Sequence, residues 1–284
     1  GLTVFRDGEF TSDMRSPAVK RISDVIALRA RQFREDNGPL AHPVRPSSFV
    51  EINNFYTATV YEKGAELIGM LKTLVGDKAY SDALDLYFER HDGDAATIED
   101  WLKVFEDKTD RDLSQFKRWY EDAGTPRLTV EESWDDGRFT LTFTQMTPPT
   151  PGQTEKLPRV IPISVGLIGP NGDEVVGTHV LEMTEATQSF HFDGLAARPV
   201  PSILREFSAP VILVRILLFP VGRNSSGVAS SRNGVPLSPS QPGSVPAKGA
   251  SMKKGRMGTV ARGIFFPSGV NRESSQPGGT VPPR

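Results

Sequence analysis

The stretch LSQFKRWYEDAGTPRLTVEESWDDGRFTLTF, residues 113–143, changes its hydrophobic period once, at Pro126. Before that point Phe116, Trp119 and Tyr120 follow a helical spacing, and Gly124-Thr125-Pro126 stops the run. After it, Leu128 and Val130, then Phe139, Leu141 and Phe143, alternate with polar residues as in half-buried strands. Asp136-Gly137 between the two alternating runs is the sequence of a tight hairpin turn. The chain therefore divides here into a helical part and a strand part.

Working back from Pro126, residues 1–125 read as helical. Ser16-Pro17 is an N-cap followed by proline at the first helical position. Val19, Ile22, Ile26 and Phe33 then recur at helical spacing until Asn37-Gly38-Pro39. A second helix is predicted from near Thr57 to Gly76, carrying Val60, Leu67, Ile68, Leu71 and Leu74. A third follows Asp77, with Tyr80, Leu84 and Phe88 on one side. The fourth opens on Thr97-Ile98-Glu99-Asp100, which resembles a capping box, and buries Ile98, Trp101 and Phe105.

Working forward, Val160–Ile168, Val175–Met183, Phe190–Phe192, Ile203–Phe207 and Val211–Ile216 continue the strand pattern. Pro170-Asn171-Gly172-Asp173 supplies another turn. About seven short strands in roughly ninety residues point to a small β-sandwich over 126–215. Beyond it, residues 216–284 are rich in Gly, Ser, Pro and basic side chains, without Trp or Tyr. A disordered tail is expected there, because such a composition buries too little apolar surface to offset chain entropy. That tail carries a formal charge of +8 and residues 1–215 carry -10, which together give the net charge of -2. The change falls inside a strand-like run, as a shifted reading frame would produce.

Composition removes several function classes. The 284 residues include no cysteine, so disulfides, thiolate ligands and a cysteine nucleophile are excluded. A cytoplasmic location is the expectation from that count. No run of about eighteen apolar residues occurs, so no membrane partner is expected. Lys253-Lys254-Gly255-Arg256 lacks interleaved aromatics, so no specific nucleic-acid binding is expected. The four histidines, His42, His91, His179 and His191, never stand four apart, and no His-Glu-x-x-His can be built. There is no Gly-x-Ser-x-Gly and no phosphate-cradling glycine loop.

One segment does carry a chemical signal. Glu51-Ile-Asn-Asn-Phe-Tyr-Thr-Ala-Thr-Val-Tyr-Glu-Lys-Gly-Ala65 resembles the tyrosine-bearing helix start of the aminopeptidase N family. Gly1–Asp7, Ala41–Pro46, Leu86–Gly93, Phe116–Tyr120, Ala123–Pro126 and Glu206–Val211 resemble the bacterial type of that family in the same order. The resemblance covers about residues 1–215. It implies an α+β multidomain fragment: the helical C-terminal part of a thermolysin-like catalytic domain (1–125), then an immunoglobulin-like β-sandwich (126–215). It further implies zinc as the parent's cofactor and peptides as its substrates.

By the same resemblance Tyr61 is the catalytic residue, a phenol that donates a hydrogen bond to the carbonyl oxygen as negative charge develops on it. Read without the family, Tyr61 is an amphipathic tyrosine at a helix start. Tyr56 resembles the tyrosine lining the pocket for the substrate's first side chain, with aromatic core packing as the alternative. Asn53 belongs to the same wall, or to a loop or cap. Glu62 and Lys63 read as charges supporting the site from behind or on a helix face, where such a pair is usually solvated.

The family's amino-terminus-anchoring segment, its His-Glu-x-x-His and its third ligand, a glutamate, are expected upstream of Gly1. No metal ligand is assigned within this sequence, so the fragment is expected to bind no zinc and to be inert alone. The alternative is a non-catalytic protein-binding module using exposed edge strands. Sequencing the source DNA across the codons for residues 210–220 is expected to reveal a shifted frame at the tail junction; an uninterrupted frame in related clones would remove that explanation.

Overall fold

The computed structural model describes residues 1–216, so all but the first residue of the tail assigned to 216–284 lies outside the described residues. The helical part comprises α1 (Leu2–Met14), α2 (Pro17–Ala30), α3 (Gln32–Asp36), α4 (Gly64–Val75), α5 (Asp77–His91), α6 (Ile98–Thr109) and α7 (Ser114–Glu121). A 3₁₀ turn (Ile52–Phe55) and a π-helical turn (Thr59–Lys63) precede α4. The strands are β1 (Arg127–Asp135), β2 (Arg138–Met146), β3 (Ile161–Ile168), β4 (Glu174–Met183), β5 (Thr187–Phe192), β6 (Val200–Ile203) and β7 (Ile212–Ile216).

The helices centre on α4. Its buried residues Leu67, Ile68, Met70, Leu71 and Leu74 recur at intervals that form one wide apolar face. The same buried cluster includes Tyr80 and Ala83 of α5, Trp101, Val104 and Phe105 of α6, and Phe116, Trp119 and Tyr120 of α7. The rings interlock, with Trp101 and Phe105 centroids 4.7 Å apart and Tyr80 5.7 Å from Phe105. Helix α6 begins as its sequence implies. Thr97 Oγ1 accepts from the Asp100 N–H at 3.2 Å, and Asp100 returns the bond to the Thr97 N–H at 2.8 Å.

Three details of the helical reading are corrected. Residues 2–14 form a helix that the apolar pattern did not delimit; it runs unbroken through Gly8, and none of its residues is fully buried. The helix after Pro17 breaks at Arg31, so Phe33 sits in the separate α3 and is buried, while Val19, Ile22 and Ile26 are 67%, 61% and 64% exposed. Phe88 faces solvent, and the buried side of α5 runs through Tyr80 and Ala83 instead. Phe10 and Met14 of α1 are also exposed, so α1 and α2 together present an apolar surface.

The strands make two sheets, in the orders β5-β2-β1-β7 and β4-β3-β6. Strand β1 pairs antiparallel with β2 and parallel with β7. Asp136 (φ 34°) and Gly137 (φ 86°) form the predicted two-residue turn, which needs positive φ at both positions. Leu128, Val130, Phe139, Leu141 and Phe143 from one sheet meet Ile161, Ile163, Val165, Leu167 and Met183 from the other. Every residue of β3 but the last is buried, and its edge is tied to the loop before β7 by the Ser164 N–H to Ser208 Oγ at 2.9 Å. The strand predicted over Ile203–Phe207 is corrected to the end of β6 and a tight turn, in which Leu204, Glu206 and Phe207 take left-handed conformations.

The two parts meet through polar side chains. Trp119 Nε1 donates to the Val160 carbonyl at 2.7 Å, and the Arg159 guanidinium lies 4.8 Å from the Trp119 ring centroid. Arg159 also donates to the carbonyls of Asp122, Ala123 and Gly124. Arg21 forms a bidentate pair with Glu66 at 2.7 Å and donates to the carbonyls of Glu206 and Phe207.

Leu67→Ala, at a fully buried position, is expected to lower unfolding free energy by about 2–5 kcal/mol. Ile22→Lys, on the exposed face, is expected to change it by no more than about 0.5 kcal/mol and to reduce self-association. Denaturant unfolding with light scattering checks both; equal destabilisation by the two substitutions would contradict this burial pattern.

Candidate functional site

The segment 51–65 folds as two successive tight turns leading into α4. In the first, the Asn54 side chain accepts from the Glu51 N–H at 3.2 Å, closing the 3₁₀ turn that carries Asn53 and Phe55. In the second, the chain widens, and the Gly64 N–H reaches back five residues to the Thr59 carbonyl. A π turn of this kind holds one residue more than an α turn and is found often where a side chain must be presented.

The free ends of this turn are all bonded. Glu35 of α3 accepts from the Thr59 N–H at 2.8 Å, and Gln32 donates to Thr59 Oγ1 at 3.3 Å. Thr57 Oγ1 accepts from the Val60 N–H at 3.2 Å and is itself bonded to His42 Nε2 at 2.8 Å. His42 is fixed at its other ring nitrogen by the Leu40 carbonyl, 2.8 Å away. Thr59 and Lys63 are buried, and Tyr61 between them points outward, 43% exposed.

Tyr61 and Tyr56 come together. Their ring centroids are 6.2 Å apart, and the row continues through Phe55 and Phe49 at 5.9 Å steps. Tyr56 is 58% exposed, so core packing does not describe it. Asn53 is exposed on the neighbouring turn. Among the described residues, the Tyr61 and Tyr56 hydroxyls and the Asn53 amide have no hydrogen-bond partner. Three polar groups of this segment are thus unpaired among the described residues, one of them on a braced turn.

Lys63 departs from its sequence reading. Instead of a solvated charge it is almost fully buried, with its ammonium 2.7 Å from Asp36 Oδ2 and 3.3 Å from the Gly124 carbonyl. Asp36 is buried as well, and accepts from the Gly124 N–H at 2.7 Å and Thr125 Oγ1 at 3.0 Å. Burial alone would raise the Asp36 carboxyl, but Lys63 and these donors overcome it and hold the group below the usual carboxylate range. Burial pushes the Lys63 ammonium down, and Asp36 opposes it. Burial likewise lowers Arg159, to about 10. Spacing did contain this signal: Lys63, just before α4, lies four residues before Leu67 and eight before Leu71, in line with that helix's buried face.

No three His, Cys, Asp or Glu side chains converge on a metal position among the described residues. His42 is taken up by Thr57 and Leu40, His91 ends α5 with its ring 5.4 Å from Tyr87, and His179 and His191 lie on β4 and β5. These residues do not fit a zinc ion. No helix among the described residues is long and apolar enough to cross a membrane.

Residues 1–120 match the peptidase family M1 domain, and residues 124–215 match a domain of unknown function (DUF3458) with an Ig-like fold. The helical part is therefore M1 peptidase, and the sandwich is the Ig-like domain. Over 75% of its length the chain is 50% identical to aminopeptidase N of Escherichia coli, and 54% identical to that of Caulobacter vibrioides. It is similar to the solved structure of Legionella pneumophila aminopeptidase A in complex with aspartic acid, at 29% identity and a TM-score of 0.62, over 75% of this chain and 23% of that one. The chain belongs to the aminopeptidase N family, as a fragment: it spans 26% and 25% of the two curated relatives.

Asp36 gives a pH prediction with a definite sign. Its folded pKa is depressed, so its contribution is present above the unfolded value of about 3.9 and is lost as pH falls through the folded value. Asp36→Asn is expected to destabilise by about 3–5 kcal/mol at pH 7, since Lys63 is left unpaired. Denaturant titrations should show that deficit shrinking below about pH 4; a deficit independent of pH would contradict the ionised pair.

Proposed function

We propose that residues 1–215 are part of a zinc-dependent aminopeptidase that removes N-terminal residues from peptides, with Tyr61 as its transition-state hydrogen-bond donor. The observation that carries this reading is Tyr61, exposed and unpartnered among the described residues, on a turn held at one end by its Thr59 N–H and at the other by the Lys63 side chain. A donor fixed in advance stabilises charge that develops on a peptide carbonyl oxygen without reorganising at the moment of reaction. Tyr56 and Asn53 would line the pocket for the substrate's first side chain. The proposed limits are 1–125 for the catalytic-domain portion and 126–215 for the sandwich. A cytoplasmic location belongs to the same reading, on the cysteine-free sequence.

Zinc would be held by residues that this sequence does not contain, since it has no His-Glu-x-x-His. The contact between Gly1 and Gly64 is consistent with the family resemblance, which puts a ligand glutamate directly before Gly1. A Cβ on Gly1 would lie 2.8 Å from the Gly64 carbonyl oxygen, so the start of α1 is pressed against the end of the tyrosine turn. We therefore expect the 284-residue chain alone to be inert.

Two assays test this. The chain with added zinc is expected to leave alanyl-p-nitroanilide unhydrolysed; chelator-sensitive turnover would contradict its inertness. Residues 1–215, exchanged for the matching segment of Escherichia coli aminopeptidase N, are expected to support turnover. In that chimera Tyr61→Phe should lower kcat by about 10²- to 10³-fold. An undiminished kcat would remove Tyr61 from the chemistry.

A further inference from the structure

We propose that Asp36 and Lys63 are positioning residues for Tyr61, and that the sandwich takes part in this positioning by holding the segment that enters it, Gly124 and Thr125. The functional weight of the proposal rests on the reading of Tyr61 given above; its geometry does not.

The π turn is gripped at both ends by one short helix. Gln32 and Glu35 of α3 hold Thr59 at the start of the turn, and Asp36 of α3 holds Lys63 at its end. Tyr61 is the exposed residue midway between these two buried anchors. A shift of α3 therefore moves both anchors at once, and the phenol with them. Arg31, at the joint between α2 and α3, adds a pair to Glu62 at 3.0 Å on the same turn.

What keeps α3 in place is the segment entering the sandwich. The Gly124 N–H and the Thr125 hydroxyl each bond one oxygen of Asp36, and Lys63 donates to the Gly124 carbonyl. Gly124 has φ +91°, and a Cβ there would stand 3.0 Å from Thr147 Cγ2 and 3.1 Å from Thr150 Cγ2. The backbone of residue 124 is thus lodged against the loop following β2, and Arg159, from just before β3, bonds its carbonyl at 3.1 Å. The path from sandwich to phenol is continuous: Gly124 and Thr125 to Asp36, Asp36 to Lys63, Lys63 to the turn.

Stability alone is a poor reason for this arrangement. A buried ion pair replaced by apolar groups of similar size is often no less stable. What apolar groups cannot supply is a fixed hydrogen-bonded position for the turn relative to residue 124.

The test follows the ring of Tyr61 by NMR in the full 284-residue chain with ¹³C-labelled tyrosine, its signal assigned by loss in Tyr61→Phe. Thr125→Val removes one donor from Asp36 and leaves the ion pair. The charge-free pair Asp36→Leu with Lys63→Met removes the whole link. In both variants the Tyr61 signal is expected to move by more than its linewidth or to split, while the signals of the core residues Tyr80 and Tyr120 stay in place. An unmoved Tyr61 in Thr125→Val overturns the proposal, and so does a common shift of all tyrosines, which marks general loosening. Should the double variant unfold, Thr125→Val decides. The readout is a ring position and not turnover, so a failed Tyr61→Phe chimera assay would sink the catalytic reading and leave this result standing.

Discussion

A carboxylate buried beneath both halves of the protein, Asp36, takes three hydrogen bonds, from Lys63, from the Gly124 amide and from Thr125. Removing two charges from water costs several kcal/mol for each ion unless close pairing and further donors offset it. Here the offset needs parts from three places: α3, the turn before α4, and the segment entering β1. None of them satisfies the group alone. The helical part and the sandwich are therefore linked by a polar requirement as well as by the approach of α4 to β3 and β4.

The rest of the architecture divides around that point. Inside, aromatic and aliphatic side chains of α4 to α7 and residues of the two sheets belong to one buried apolar cluster. Outside, Tyr56 and Tyr61 stand on a surface row of aromatic rings beside the braced turn. Rigidity beneath and exposure above are what a preorganised hydrogen-bond donor needs. The exposed apolar side chains of α1 and α2 are a separate feature, on helices whose inner residues still reach α4 through Phe5, which would lie 3.1 Å from a Cβ on Gly69.

Much of the fold was legible in the sequence, for reasons that are local. The change of period at Pro126, the Asp136-Gly137 turn and the Thr97 capping box each depend on residues within a few positions of one another. The Tyr61 segment was legible through its resemblance to aminopeptidase N. Legibility failed where distant contacts overrode local pattern. Val19, Ile22 and Ile26 have helical spacing yet face outward, and the helix breaks at Arg31 so that α3 can turn three polar side chains toward residues 59–63. Lys63 looked solvated because charged residues usually are; its partner lies 27 residues away in sequence. The left-handed Leu204, Glu206 and Phe207 include no glycine to announce a turn, and the last two are held by Arg21 from α2.

The central claim is that the tyrosine turn and the entry to the sandwich are one cooperative unit joined at Asp36. Native-state hydrogen exchange of the Gly64 and Gly124 amides tests it most directly, because each belongs to one side of that junction. The account predicts that both amides exchange through the same opening, with equal opening free energies that fall together in Lys63→Met. Gly64 exchanging far faster in that variant while Gly124 keeps its protection would contradict it.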